Sequence, residues 1–397
     1  MSFANPENLI RSWNLQTGFS TGPVVADQLV PKKFGRIRTP FVLTWREEKL
    51  NSILDFSSQN FSVYLPESLR VLKEAYLKIE VPQCASAFKT YPGLHFIDKI
   101  RILSAGQEVY VCDYHQHLVD YLQQLRDEDG RQFGKTYLGW ETVASNAART
   151  IMLPILLPNS PFLLRDGKDL RGHGIFPSYL GQNRLEIQFT MKANTFQSAN
   201  GTDTVPTISG KCSMMYRECQ MTPSNKLSFG DARGKYSVIT RRFTELTSGW
   251  QDALANVNVT WNINQPQGIV TEVIVLAVPN EDNVSLRQHQ TFVKPSKIKV
   301  TADSIVQIDM DSPEKIQIAL YENGFDDNTD FPQPARICFA SHCCDNSYAY
   351  CGGYNQQIAS TIQYDFTFTE AVHYKLIAVQ LQRVRIDALG RLTAKLD

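Results

Sequence analysis

A chain of 397 residues exceeds what one hydrophobic core organises, since single cores stop growing at roughly 250–300 residues, so two domains are expected. Hydrophobic residues at 43% and charged residues at 20% exclude the disordered and low-complexity classes. Forty basic and forty acidic side chains cancel, which excludes the single-sign field of a protein that coats nucleic acid, and no sequence-specific nucleic-acid binding is expected.

The first fifty residues show little sustained periodicity and read as an arm leading to an edge strand. Their start, "MSFANPENLIRSW", lacks the basic flank and continuous apolar core of a secretory signal, so the chain is expected to remain where it is made. With eight cysteines and no such signal, reduced thiols are expected, and the sequons at Asn60, Asn200, Asn258 and Asn283 carry no weight. The longest apolar run, "IMLPILLP" (151–158), is broken by Pro154 and Pro158 and reads as a buried strand rather than a membrane span.

Along the chain, "LRVLKEAYLKIEVP" (69–82) predicts a strand ending at a proline. "IRILSAGQEVYVCDYHQHLVDYLQQL" (100–125) then predicts two strands around Ala105-Gly106. A helix should follow, capped by Asp113 with Gln116 three residues on, and with Tyr114, Leu118, Tyr121, Leu122 and Leu125 on one stripe. "TIMLPILLP" and "NRLEIQFTMKA" continue as strands, "KCSMMYRECQM" closes the first unit, and polar, glycine-bearing "TPSNKLSFGDARGKYS" (222–237) reads as the join.

The grammar then repeats. "IKVTADSIVQIDMDSPEKIQIALYEN" (298–323) again predicts strand, turn, strand and helix, with Ser312 before Pro313 at the helix start and Glu322-Asn323-Gly324 at its stop. Identity is sparse, but apolar placement recurs: Ile100 and Ile102 answer Ile298 and Val300, Tyr110 and Cys112 answer Ile308 and Met310, and Leu118 and Leu122 answer Ile316 and Leu320. "VNVTWNINQPQGIVTEVIVLAVP" precedes this copy; "ARICFASHC", "IQYDFTFTE" and the alternating "YKLIAVQLQRVRI" follow it. Two successive β-rich units, each a sandwich, are expected.

In this arrangement, and in "FIDKIRILSAGQEV", "LPILLPNSPF" and "GGYNQQIASTIQYDFTF…YKLIAVQLQRV", the chain resembles the double jelly-roll major capsid proteins of tailless icosahedral viruses, the adenovirus-like and tectivirus-like lineage. The resemblance runs from about Phe61 to the C-terminus. It implies an all-β fold of two tandem eight-stranded jelly rolls with short inserted helices: an arm and first edge strand at 1–50, jelly roll 1 at 51–225 and jelly roll 2 at 226–397. It further implies pseudo-hexagonal homotrimers that tile a virion shell through trimer-trimer contacts, assembled inside the host cell. Vertex (penton) and minor capsid proteins would be partners. Residues 1–40 would reach neighbouring trimers or an internal membrane, and loops 194–210 and 325–335 would lie outermost or at the trimer interface. "GPVVADQLVPKKFGRI" (22–37) also resembles the N-terminal region of tailed-phage capsid proteins, whose different fold needs a long helical segment that the rest of the chain lacks. A two-unit lectin or spike, and a bicupin-type enzyme, are the alternatives of other classes.

Catalytic signatures are missing: there is no G-x-S-x-G elbow and no phosphate loop, and "GHG" (172–174) lacks a third glycine. "CDYHQH" offers Cys112, His115 and His117 with Asp120 nearby, but on a helix the two histidines diverge by about 200° and the glutamate of a cupin is absent. "CFASHCCDNSYAYC" offers Cys338, His342, Cys343, Cys344 and Cys351 without a C-x-x-C knuckle, and reads as buried thiols. "ENGFDDNTD" (322–330) lacks the alternation of an EF-hand, Lys32, Lys33, Arg36 and Arg38 form a modest basic patch, and Leu9, Ile10 and Trp13 make one short amphipathic turn. No catalytic, cofactor-binding or metal residue is therefore assigned, no cofactor is expected, and the chain is expected not to be an enzyme.

Overall fold

The structure is a computed structural model that describes residues 41–49, 60–65, 71–81, 97–113, 148–155, 176–177, 179–180, 183–191, 212–221, 237–264, 268–279, 292–322, 334–339, 354–355, 358–386 and 392–396. The chain divides into two compact units: Met1–Thr240 with Gln382–Lys395, and Arg241–Leu381 with Leu396–Asp397.

Among the described residues of the first half, eight principal strands follow in order: β1 (Phe41–Lys49), β2 (Asn60–Tyr64), β3 (Val71–Val81), β4 (Ile97–Ser104), β5 (Gln107–Asp113), β6 (Arg149–Pro154), β7 (Asn183–Met191) and β8 (Cys212–Met221). One sheet runs β1-β8-β3-β6 and the other β2-β7-β4-β5. Alternation builds the second sheet. In β7, Leu185, Ile187, Phe189 and Met191 are buried while Glu186, Gln188 and Thr190 are half-exposed. Phe61 of β2 sits directly opposite Phe189, and the two rings stack with centroids 4.9 Å apart.

The second half repeats the path with β9 (Ser237–Glu245), β10 (Asn258–Asn264), β11 (Ile269–Pro279), β12 (Lys297–Ala302), β13 (Ile305–Met310), β14 (Ala335–Cys338), β15 (Thr361–Thr367) and β16 (Val372–Ile386), with helix α1 (Pro313–Glu322) after β13. Its sheets run β9-β16-β11-β14 and β10-β15-β12-β13. Counting strands one to eight within each half, both give 1-8-3-6 and 2-7-4-5. Consecutive strands thus alternate between the two sheets except the fourth and fifth, which pair as a hairpin within one sheet, and this is the double Greek-key path of a jelly roll. The chain is a tandem pair of jelly rolls, as the sequence implied.

The second core gathers Val273, Val275 and Ala277 of β11 with Ile298 and Val300 of β12, Ile362, Tyr364 and Phe366 of β15, Leu376 and Ala378 of β16, and Ile316 and Leu320 of α1. One expectation is corrected here. "LIAVQLQRVRI" reads as a half-buried strand, yet Tyr374 through Gln382 are buried without interruption, as are Val270 through Val278 of β11. The face of this sheet turned away from the second core, carrying Glu272, Ile274, Leu276, Ile377 and Val379, is shielded as well, so alternation marks the two faces without marking which is wet.

The helix predicted after β5 falls outside the described residues, as does the join at 222–237 except for Ser237, which begins β9. α1 is found where its signals place it. The Ser312 hydroxyl accepts from the Lys315 amide at 3.4 Å, and Ile316 and Leu320 face the core.

Candidate assembly surfaces

Two hairpins, β4–β5 and β12–β13, match residue for residue at an offset of 198. Both turn through two residues at positive φ, Ala105 (50°) and Gly106 (78°) in one, Asp303 (46°) and Ser304 (69°) in the other. That is the two-residue turn whose twist suits paired strands. Both break register after the second pair: Leu103 faces Glu108 and Ile102 faces Tyr110, just as Thr301 faces Val306 and Val300 faces Ile308. The surplus residue of the bulge is Val109 in the first copy and Gln307 in the second.

Their surfaces differ. In the first copy the strand after the turn begins with Gln107 and Glu108, both exposed, and Glu108 lies 3.4 Å from the Arg101 guanidinium. Val109 and Tyr110 are buried, and the Gln382 side-chain amide donates to the Val109 carbonyl at 3.2 Å. In the second copy the matching residues are Ile305 and Val306, 65% and 48% exposed, followed by exposed Gln307 and half-buried Ile308. The Asp303 carboxylate accepts from the amides of Ser360 and Thr361 at 3.0–3.1 Å, tying to the turn a segment that carries Ile358, 79% exposed. β5 and β13 each end their sheet's strand order.

At the opposite end of the second jelly roll, α1 turns Ile318 and Tyr321 outward, and the connection before β10 exposes Leu254 and Val257. Asp311 bridges Lys315 at 2.8 Å one helical turn on. That contact holds the Asp311 carboxyl below and the Lys315 ammonium above their ordinary ranges.

Of the residues singled out in the sequence, Cys112 is buried with its thiol 3.8 Å from the Asp113 carbonyl, and Cys338 is half-buried at the end of β14. His115, His117 and Asp120, and His342, Cys343, Cys344 and Cys351, lie outside the described residues, as do the basic and amphipathic positions of the first forty and all of the 322–330 loop except Glu322. Among the described residues no three His, Cys, Asp or Glu side chains gather as metal ligands. What sequence reading missed is the apolar pair Ile305 and Val306. Its signal was available: at an offset of 198, Gln-Glu in one hairpin stands against Ile-Val in the other.

Fold and surface together define a tandem jelly-roll protein whose two halves share one strand path and differ at their edges. The sequence matches no family model and no curated protein. Solved structures do match. VP54 of the virus PBCV-1, in a crystal structure fitted into a cryo-EM reconstruction of the virophage Sputnik, superposes with a TM-score of 0.69 at 10% identity, covering 92% of this chain and 99% of that one. The Faustovirus major capsid protein gives 0.64 at 8% identity over 96% and 97%, and the mavirus major capsid protein 0.58 at 11% over 92% of each. The chain has the double jelly-roll fold of these proteins.

Proposed function

We propose that this chain is a viral major capsid protein, a component of the virion that acts by self-assembly and not by catalysis. The observation that carries the reading is the duplication: one strand path occurs twice within a single chain, and the turn and bulge of its hairpin recur at an offset of 198. Three copies of such a chain present six similar units, so a homotrimer has a near-hexagonal outline and tiles a closed icosahedral shell through repeated trimer-trimer contacts. The balance of forty basic and forty acidic residues suits dense packing, because repulsion between copies is small. Vertex and minor capsid proteins are the further partners this role calls for, and the first forty residues are the segment to reach neighbours or an internal membrane. Native mass spectrometry of the full chain, followed by electron microscopy, tests it. Trimers with a pseudo-hexagonal outline are expected; a chain that stays monomeric at micromolar concentration overturns the proposal.

A further inference from the structure

We propose that the outer edge of β13, with Ile305 and Val306 at its start and Ile358 tied beside the turn, is an interface that receives a second copy of this chain. The inference rests on the self-assembly reading above and names the surface that reading leaves unspecified.

The two hairpins share turn, bulge and register, so a side-chain difference at matched positions reflects what lies against each one rather than how the backbone is built. In the first copy the bulge residue Val109 is buried and its carbonyl is taken by Gln382, which belongs to the same compact unit. That edge is closed from within the chain. In the second copy the bulge residue Gln307 is exposed, and the two residues before it are apolar where the first copy has an amide and a carboxylate. Isoleucine and valine side by side at a strand edge form an adhesive template that soluble proteins ordinarily blunt with charge, as Glu108 and Arg101 do in the first copy.

A chain with two like units, one edge closed and the matched edge open and apolar, has the surface expected when the missing cover comes from another copy of the same polypeptide. An anionic lipid surface suits it less, because the acidic side chains Asp303 and Asp309 flank the patch and β13 itself carries no basic residue.

The test uses the full chain. The double variant I305Q/V306E installs the two residues that the first hairpin carries at 107 and 108, a pair this turn geometry already accepts. Its thermal unfolding midpoint should match wild type, while trimers should require about tenfold or more higher concentration to form in native mass spectrometry. Glu108→Gln, at the matched position of the first copy, should assemble as wild type. Independently of any folding effect, a photo-crosslinking residue at position 307 in the otherwise unaltered chain should join two chains into one band of doubled mass. Wild type that assembles while I305Q/V306E assembles equally well overturns this inference and leaves the capsid proposal standing. So do crosslinks confined to single chains, or a variant that assembles normally but loses flotation with phosphatidylglycerol vesicles. A wild-type chain that never associates overturns both.

Discussion

Arg336 is buried on β14, the last strand in its sheet's order, and its guanidinium donates to both carboxylate oxygens of Glu272 on β11 at 3.2 Å. A charge removed from water in this way is tolerable only while its partner remains, so Glu272→Gln or Arg336→Met should each destabilise the fold by about 3–5 kcal/mol. Replacing both by methionine should recover most of the loss, which a double-mutant cycle in urea would read. Cys212 behaves differently. Burial pushes its thiol up to about 12, so at pH 8 it should resist alkylation in the native state and react only on unfolding. The unfolded thiol loses its proton nearer its ordinary value of 9.0, so this stabilisation is complete below about pH 9 and disappears as the pH rises towards 12. A pH series of unfolding midpoints, wild type against Cys212→Ala, isolates that loss.

The hairpins and the helix carry their own tests. Ala105 adopts φ 50° ahead of Gly106, in a turn whose preferred sequence is Asn-Gly. Ala105→Asn should therefore stabilise the protein by up to about 1 kcal/mol, because asparagine tolerates the left-handed region better than alanine. Gly106→Ala should destabilise by a similar amount: nothing lies within 4 Å of an added Cβ, so the penalty is one of backbone conformation and not of space. Ser312→Ala removes the helix cap and should lower stability by about 0.5–1 kcal/mol, the modest end of the range because the bond is 3.4 Å long. The Glu314 carboxyl is held low first by its own backbone amide and then by the Ser312 hydroxyl. The contribution of this turn is thus present above the ordinary carboxylate range and fades as the pH falls through the lowered value. Comparing unfolding midpoints at pH 7 and pH 3 should show Ser312→Ala costing less in acid.

For the whole chain, two units share one strand path and differ at the matched hairpin edge. If Ile305 and Val306 hold the neighbouring copy, assembly is driven by apolar burial in a chain of zero formal net charge. Raising ionic strength from about 0.05 to 0.5 M shortens the Debye length several-fold, yet should weaken trimer formation by less than about threefold. Ammonium sulfate should strengthen it. Sedimentation in the two salts measures both; a steep loss in sodium chloride would point to an electrostatic interface instead.

The sequence by itself determined the duplication, the hairpin turns, the cap at Ser312 and the buried faces at Ile100, Ile102, Ile298 and Val300, because each is a local pattern read over a few residues. Tertiary structure decided that β11 and β16 are wrapped on both faces, that Glu272 pairs with Arg336 across 64 residues, and that one hairpin edge is closed while its twin stands open. Periodicity records which residues share a face. Whether that face meets water depends on parts of the chain far away in sequence, and no short window contains them.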